Sequence, residues 1–178
     1  LGLENLRPDD VIILLSKPAY GPPLYWHQDF MNWNHPEATS PWPTRIFLSY
    51  YMTDTNRENG CLRVIPGTHT KRIELHDVLP DAHGPEIQAI DDLDHLVFMD
   101  HPDAIDVPLK AGSAVLFHSL MVHGSGPNQT GRSRNTALYA YFSPLVRYTP
   151  GEVGPREKSF PVISGLGGKR EHTLVASC

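Results

Sequence analysis

The residues His27-Gln28-Asp29 follow Tyr25-Trp26 and precede Phe30, and their types and spacing suit a transition metal. Two imidazoles and one carboxylate on one face of an ion leave its other positions open, the arrangement that non-haem iron enzymes use to activate O2. Side chains at i and i+2 of a strand point to the same side, so His27 and Asp29 can converge on one ion. A third ligand must then arrive from a distant strand, which barrel closure can bring alongside. The pair alone carries little weight: ten histidines in 178 residues give roughly 0.7 His-x-Asp matches by chance. A second match, His101-Pro102-Asp103, serves as an internal control. It falls in an irregular stretch and holds a proline unsuited to a central strand, so it reads as a solvated loop.

The residues downstream of each histidine select the third ligand. His123 opens the run His-Gly-Ser-Gly-Pro-Asn, and Arg134 begins a later strand-like run. A lone histidine is more simply a satisfied core or turn residue; the company of His123 argues otherwise. An oxygenase that takes 2-oxoglutarate needs a fixed cation for the distal carboxylate of that cosubstrate. An arginine fork meets it bidentately and stays charged when buried, and the Ser125 hydroxyl could donate to the same group. His118 also lies in a strand-like run, but its odd spacing from His123 places it on the opposite face if the chain stays extended. Arg132 sits in the turn Thr130-Gly131-Arg132-Ser133 rather than on the strand.

The elements that must position these groups are short strands. They are expected near 11–16, 24–28, 45–53, 61–65, 105–109, 114–118, 120–123 and 135–143. Turn chemistry separates them at 20–23, 58–60, 66–68, 110–112 and 126–128. Seventeen prolines and fourteen glycines fit many turns and few long helices, so a β-sandwich or barrel is expected. The Asp- and His-rich stretch 76–104 breaks the rhythm and reads as an insertion; a loop of that length is often functional, a lid for example. The tail 144–178 reads as an irregular wrap. One domain spanning 1–178, with its core over about 11–143, is the expected organisation.

The net charge of −5 gives no reason to expect a nucleic-acid or anionic-membrane partner, and no apolar run approaches the ~20 residues of a membrane span. Cys61 and Cys178 do not make a disulfide framework; Cys61 reads as a small buried hydrophobe, and a reducing, cytoplasmic setting is the default. Asn128-Gln129-Thr130 matches a glycosylation sequon, a pattern too short to weigh against its place in a turn.

Taken together, Trp-His-Gln-Asp-Phe (26–30), Glu-Asn-Gly-Cys-Leu-Arg-Val-Ile-Pro-Gly-Thr-His (58–69), Ala-Gly-Ser-Ala-Val-Leu-Phe-His (111–118) and His-Gly-Ser-Gly-Pro-Asn with Arg134 resemble the phytanoyl-CoA dioxygenase family in order and spacing. The resemblance implies a mainly β double-stranded β-helix, a jelly-roll or cupin-like barrel, using Fe(II), 2-oxoglutarate and O2. It implies His27, Asp29 and His123 as metal ligands, Arg134 and Ser125 as the 2-oxoglutarate site, and no catalytic residue beyond the ligands. The Asn-Gly-Cys-Leu and Pro-Gly-Thr-His elements look like framework. Phe30-Met31-Asn32-Trp33 is similar to the ectoine hydroxylase branch, which makes Trp33 a candidate pocket wall; packing against loop 34–44 is an equal alternative. Some members carry a tryptophan near the position of Ser49, so that side of the pocket is expected to differ here. The family's usual N-terminal helical region is expected to be missing or very short.

The implied reaction is hydroxylation of a small molecule or acyl-type substrate with release of succinate and CO2. A carboxylate at position 29 favours hydroxylation over halogenation, because a halogenase must vacate that site for halide. Two rivals stand beside it: a cupin-like metal enzyme without 2-oxoglutarate, which would have no need of Arg134, and a non-catalytic β-barrel binding domain whose His and Asp are incidental.

Overall fold

A computed structural model describes residues 7–29, 45–79, 89–90 and 92–142. Among them lie eight strands and one short 3-10 helix at Glu74–Asp77. The strands are β1 (Arg7–Lys17), β2 (Leu24–His27), β3 (Arg45–Tyr51), β4 (Leu62–Val64), β5 (Ile105–Val107), β6 (Ala114–His118), β7 (His123–Ser125) and β8 (Arg134–Phe142). They form two four-stranded antiparallel sheets, ordered β1-β8-β3-β6 and β2-β7-β4-β5. This is a double-stranded β-helix, as the strand spacing leads one to expect.

Alternation along the strands builds the interior. On β3, Phe47 and Tyr51 turn inward with Ser49 between them, and all three are buried. Phe47 packs with Phe117 and Leu138 of the larger sheet, while Tyr51 meets Leu62 and Val64 of the smaller one. The Phe47 and Phe117 rings stack at 5.5 Å, and Phe117 reaches to 5.0 Å from the His123 ring. The sandwich interior therefore runs up to the metal motif and walls one side of it with hydrocarbon.

Two expectations change. The run 120–123 does not continue as a strand: residues 119–122 form a turn, and β7 begins only at His123. The backbone N–H groups that a strand would offer to a neighbour are captured by side chains instead, Leu120 N–H by His118 Nδ1 at 3.0 Å and Val122 N–H by Thr68 Oγ1 at 2.9 Å. The described part of the 76–104 insertion packs behind the smaller sheet. Trp26 N–H donates to Val97 O (2.7 Å) and the indole N–H to Met99 O (2.8 Å). Trp26, Ile65, Leu79, Val97 and Val122 form a second apolar cluster there, on the side of β2 away from His27. Residues 80–88 and 91 of the insertion, the tail 144–178, and Trp33 with loop 34–44 lie outside the described residues.

The Asn59-Gly60 element is the framework turn expected of it. Asn56 and Asn59 exchange side-chain-to-backbone hydrogen bonds of 2.8 and 3.0 Å, and Gly60 takes φ +71°, a conformation that costs other residues about 1–2 kcal/mol. A Cβ there would also stand 2.4 Å from Gly126 O, so glycine lets this turn close against the segment that follows Ser125.

Candidate metal centre

Strands β2 and β7 are neighbours, and His27 pairs directly with His123 across them. Both imidazoles are buried, with ring centroids 4.2 Å apart. Asp29 lies two residues past His27, just beyond the strand end, held by its N–H to Ser119 O at 3.1 Å. Its carboxylate oxygens come within 3.7 Å of His27 Nε2 and 3.4 Å of His123 Nε2. One donor atom from each residue lies within 4.8 Å of the other two. Bonds of ~2.1 Å at right angles need donors about 3 Å apart, so the two Asp29–His pairs would each close by roughly half an ångström around an ion.

The outer faces of the imidazoles orient them. His27 Nδ1 lies 2.9 Å from Tyr25 O and His123 Nδ1 lies 2.9 Å from Met121 O. A carbonyl can only accept, so each Nδ1 carries the proton and each Nε2 presents its lone pair inward. These carbonyls thereby fix the tautomer a metal ligand requires. Gln28 points the other way, buried, and donates to Leu120 O.

Further along β7, and at the paired ends of β1 and β8, lies a corner that is short of negative charge. Ser125, two residues beyond His123, is buried and its hydroxyl has no hydrogen-bond partner. Arg134 opens β8; its Nε is likewise buried without a partner, and one terminal nitrogen reaches Thr136 Oγ1 at 3.3 Å. Burial pulls the guanidinium below its ordinary range. Across the β1–β8 ladder, Lys17 pairs with Arg134 and is buried too. Its ammonium donates to Pro22 O at 2.8 Å and Gly126 O at 2.7 Å. Burial first, and the neighbouring guanidinium second, lower Lys17 to about 8. Tyr51 completes the corner, pushed up to about 12 chiefly by burial. A buried ammonium and a partly buried guanidinium with no carboxylate partner among the described residues, plus an unsatisfied hydroxyl, are the complement of an anionic ligand. Donor set and corner together therefore fit a ferrous ion and a dicarboxylate.

Nothing in Lys-Pro-Ala-Tyr marks Lys17 as buried; the turn at Gly60 covers its stem, and Pro22 O and Gly126 O hold its ammonium. Ser49 is buried, its backbone paired with Val115 and Leu138, and it faces the interior between Phe47 and Tyr51. The control pair at 101–103 closes a local turn through Asp103 N–H to His101 Nδ1 at 3.2 Å, in keeping with a loop. His118 is not part of the donor cluster; its ring lies 5.4 Å from that of His69. Cys61 is free and buried. Asn128 of the sequon is buried as well, its amide donating to Pro18 O and Arg132 O at 2.8 and 2.7 Å. A surface cavity of about 320 Å³ lined by Arg57, Arg63, Asp100 and Asp106 lies on the other face of the smaller sheet. Its guanidiniums are already paired with those carboxylates, so it lacks the charge imbalance of the Arg134 corner.

Known proteins are similar to this chain in sequence and in fold. The family model "Phytanoyl-CoA dioxygenase (PhyH)" matches residues 7–136. The ectoine dioxygenase of Sphingopyxis alaskensis is 31% identical over 147 residues, covering 76% of this chain and 48% of that protein. The crystal structure of EctD from S. alaskensis with bound Fe superposes with a TM-score of 0.57 at 28% identity, over 82% of this chain and 48% of that one. The same protein with 2-oxoglutarate and 5-hydroxyectoine gives 0.55 at 26% identity, over 82% and 47%. The chain spans about half the length of these relatives. On a match that covers most of the described residues, including all three members of the triad and the Arg134 corner, this chain belongs to the phytanoyl-CoA dioxygenase family.

Proposed function

We propose that the protein is an Fe(II)- and 2-oxoglutarate-dependent dioxygenase that hydroxylates a small molecule. The observation that carries this reading is the meeting of His27, Asp29 and His123 beside a buried, anion-seeking corner of Arg134, Lys17 and Ser125. His27 and His123 would bind iron through Nε2 and Asp29 through its carboxylate. Arg134 would grip the distal carboxylate of 2-oxoglutarate as a fork, with Ser125 donating its hydroxyl and Lys17 adding charge. Ferrous iron and 2-oxoglutarate, when bound, supply the oxidation that puts one oxygen atom of O2 into a C–H bond and the other into succinate, with loss of CO2. The chain contributes orientation and dryness: Tyr25 O and Met121 O hold the imidazoles, while Phe117 shields His123 from water. Ser49 and Trp33 are proposed pocket walls, and the anionic Asp29 keeps halide from the site that a halogenase would open. The kinship with ectoine dioxygenases supports a small polar substrate, and no helix among the described residues is long and apolar enough to cross a membrane.

Anaerobic addition of Fe(II) and then 2-oxoglutarate tests the reading. A visible metal-to-ligand charge-transfer band should appear only when both are present, and substrates can then be screened for succinate release. Iron binding without that band would reject the cosubstrate half of the proposal.

Lys17 adds a pH dependence. Its pKa is lowered to about 8 in the fold from an ordinary 10.5, so its charge is lost as pH rises through about 8. Exchanging a charged for a neutral hydrogen-bond donor forfeits ~1 kcal/mol. Affinity for 2-oxoglutarate should therefore fall roughly threefold from pH 7 to pH 9, and Lys17→Met should flatten that profile; calorimetric titration of the Mn(II)-loaded protein measures both. Stability should move the opposite way. The unfolded chain binds more protons than the ligand-free fold between about 8 and 10.5, so the fold gains stability over that window.

A further inference from the structure

Three consecutive carbonyls of the turn after β6 serve the metal motif. Ser119 O accepts the Asp29 N–H at 3.1 Å, Leu120 O accepts from the Gln28 side chain, and Met121 O lies 2.9 Å from His123 Nδ1. One turn thus fixes the backbone of one candidate ligand, the residue between the His27-Asp29 pair, and the ring of the third. Ser119 and Leu120 are wholly buried. A turn whose carbonyls all point outward to other segments must have its own N–H groups satisfied from elsewhere, because an unpaired buried N–H is costly.

His118 supplies two of those acceptors. Its Nδ1 takes the Leu120 N–H at 3.0 Å and its carbonyl takes the Met121 N–H at 2.9 Å. Thr68 supplies the next, its hydroxyl accepting the Val122 N–H at 2.9 Å while donating to Ile65 O at 2.7 Å. The side-chain acceptor reaching the N–H two residues on is the geometry of an Asx-turn, built here with an imidazole. The ring must be unprotonated at Nδ1 to accept. Burial, with the His69 ring 5.4 Å away, holds His118 down to about 4, so the acceptor persists at neutral pH.

We infer that His118 is a positioning residue for the metal centre, its Nδ1 shaping the 118–121 turn whose carbonyls orient Asp29, Gln28 and His123. This inference rests on the triad binding metal. It goes further in assigning a role to a histidine outside the donor cluster.

Asparagine can place its side-chain oxygen on the same N–H, whereas leucine cannot. Mn(II) affinity of the 178-residue chain, His118→Asn and His118→Leu, followed by tryptophan fluorescence or equilibrium dialysis, tests the inference; circular dichroism monitors folding. His118→Leu should bind Mn(II) about tenfold more weakly, the low end of the loss when a direct outer partner of a ligand is removed, because His118 acts through the turn that carries those partners. His118→Asn should stay within about threefold of the unaltered protein. Equal affinity in the leucine variant would overturn the inference. So would a folded asparagine variant that has lost tenfold or more, or an asparagine variant that does not fold. If the leucine variant fails to fold, the asparagine variant alone decides. No Mn(II) binding by the unaltered chain would instead overturn the metal reading, and this inference with it.

Discussion

His123→Ala should abolish metal uptake, lowering affinity for Fe(II) or Mn(II) by at least about a hundredfold, and His27→Ala should do the same. Loss of an outer partner alone costs about 10- to 100-fold, so removing a donor that touches the ion must cost no less. The remaining imidazole and carboxylate could hold only part of one face of the ion, and the truncated side chain leaves a buried gap between β2 and β7. His101→Ala supplies the matched control: it removes a histidine from the other His-x-Asp pair, where the ring only closes a local turn, and metal affinity should not change. Unchanged affinity in both His27→Ala and His123→Ala would favour a barrel whose histidines are incidental.

Arg134→Leu should raise the dissociation constant for 2-oxoglutarate about thirtyfold or more while leaving Mn(II) affinity near its original value. Removing one partner of a buried, hydrogen-bonded charge pair costs ~2–5 kcal/mol, and each ~1.4 kcal/mol is a factor of ten. Arg134→Lys should recover only part of the loss, because an ammonium cannot offer the planar fork and the corner already contains Lys17. The contrast with a 2-oxoacid lacking the distal carboxylate makes the effect specific. Such a ligand should bind the unaltered protein weakly and respond little to either substitution. Equal sensitivity of the two ligands would mean that Arg134 supports the fold rather than the carboxylate, and a metal enzyme that never used 2-oxoglutarate would then be the better account.

The meeting of His27, Asp29 and His123 is legible in the sequence because each lies in a local run whose residue types suit a metal, and the same kind of run singles out Ser125 and Arg134 for the proposed cosubstrate site. The strands were legible for a related reason: apolar runs of strand length were bounded by Gly, Pro and Asn. The hidden features depend on tertiary pairing. Lys17 is buried where the Gly60 turn and the carbonyls of Pro22 and Gly126 close over the end of β1, opposite Arg134 of β8. Leu120-Met121-Val122 has the apolar character of a strand, yet His118 and Thr68 capture two of its N–H groups and turn its carbonyls towards the metal motif. Alternation along an extended chain sets His118 away from the ligands but does not reveal its role there. Trp26 illustrates the same limit. Neighbouring His27 marked it as part of a motif, while its contacts with Val97 and Met99 come from a stretch whose sequence reads only as an interruption.

The coordination sphere of the loaded protein tests the central claim most directly. A crystal structure of the Mn(II)- or Fe(II)-bound chain should place the ion about 2.0–2.2 Å from Nε2 of His27, Nε2 of His123 and a carboxylate oxygen of Asp29, with the remaining positions open on the side of Arg134. An ion bound elsewhere, or a sphere from which any of the three is missing, would contradict the account.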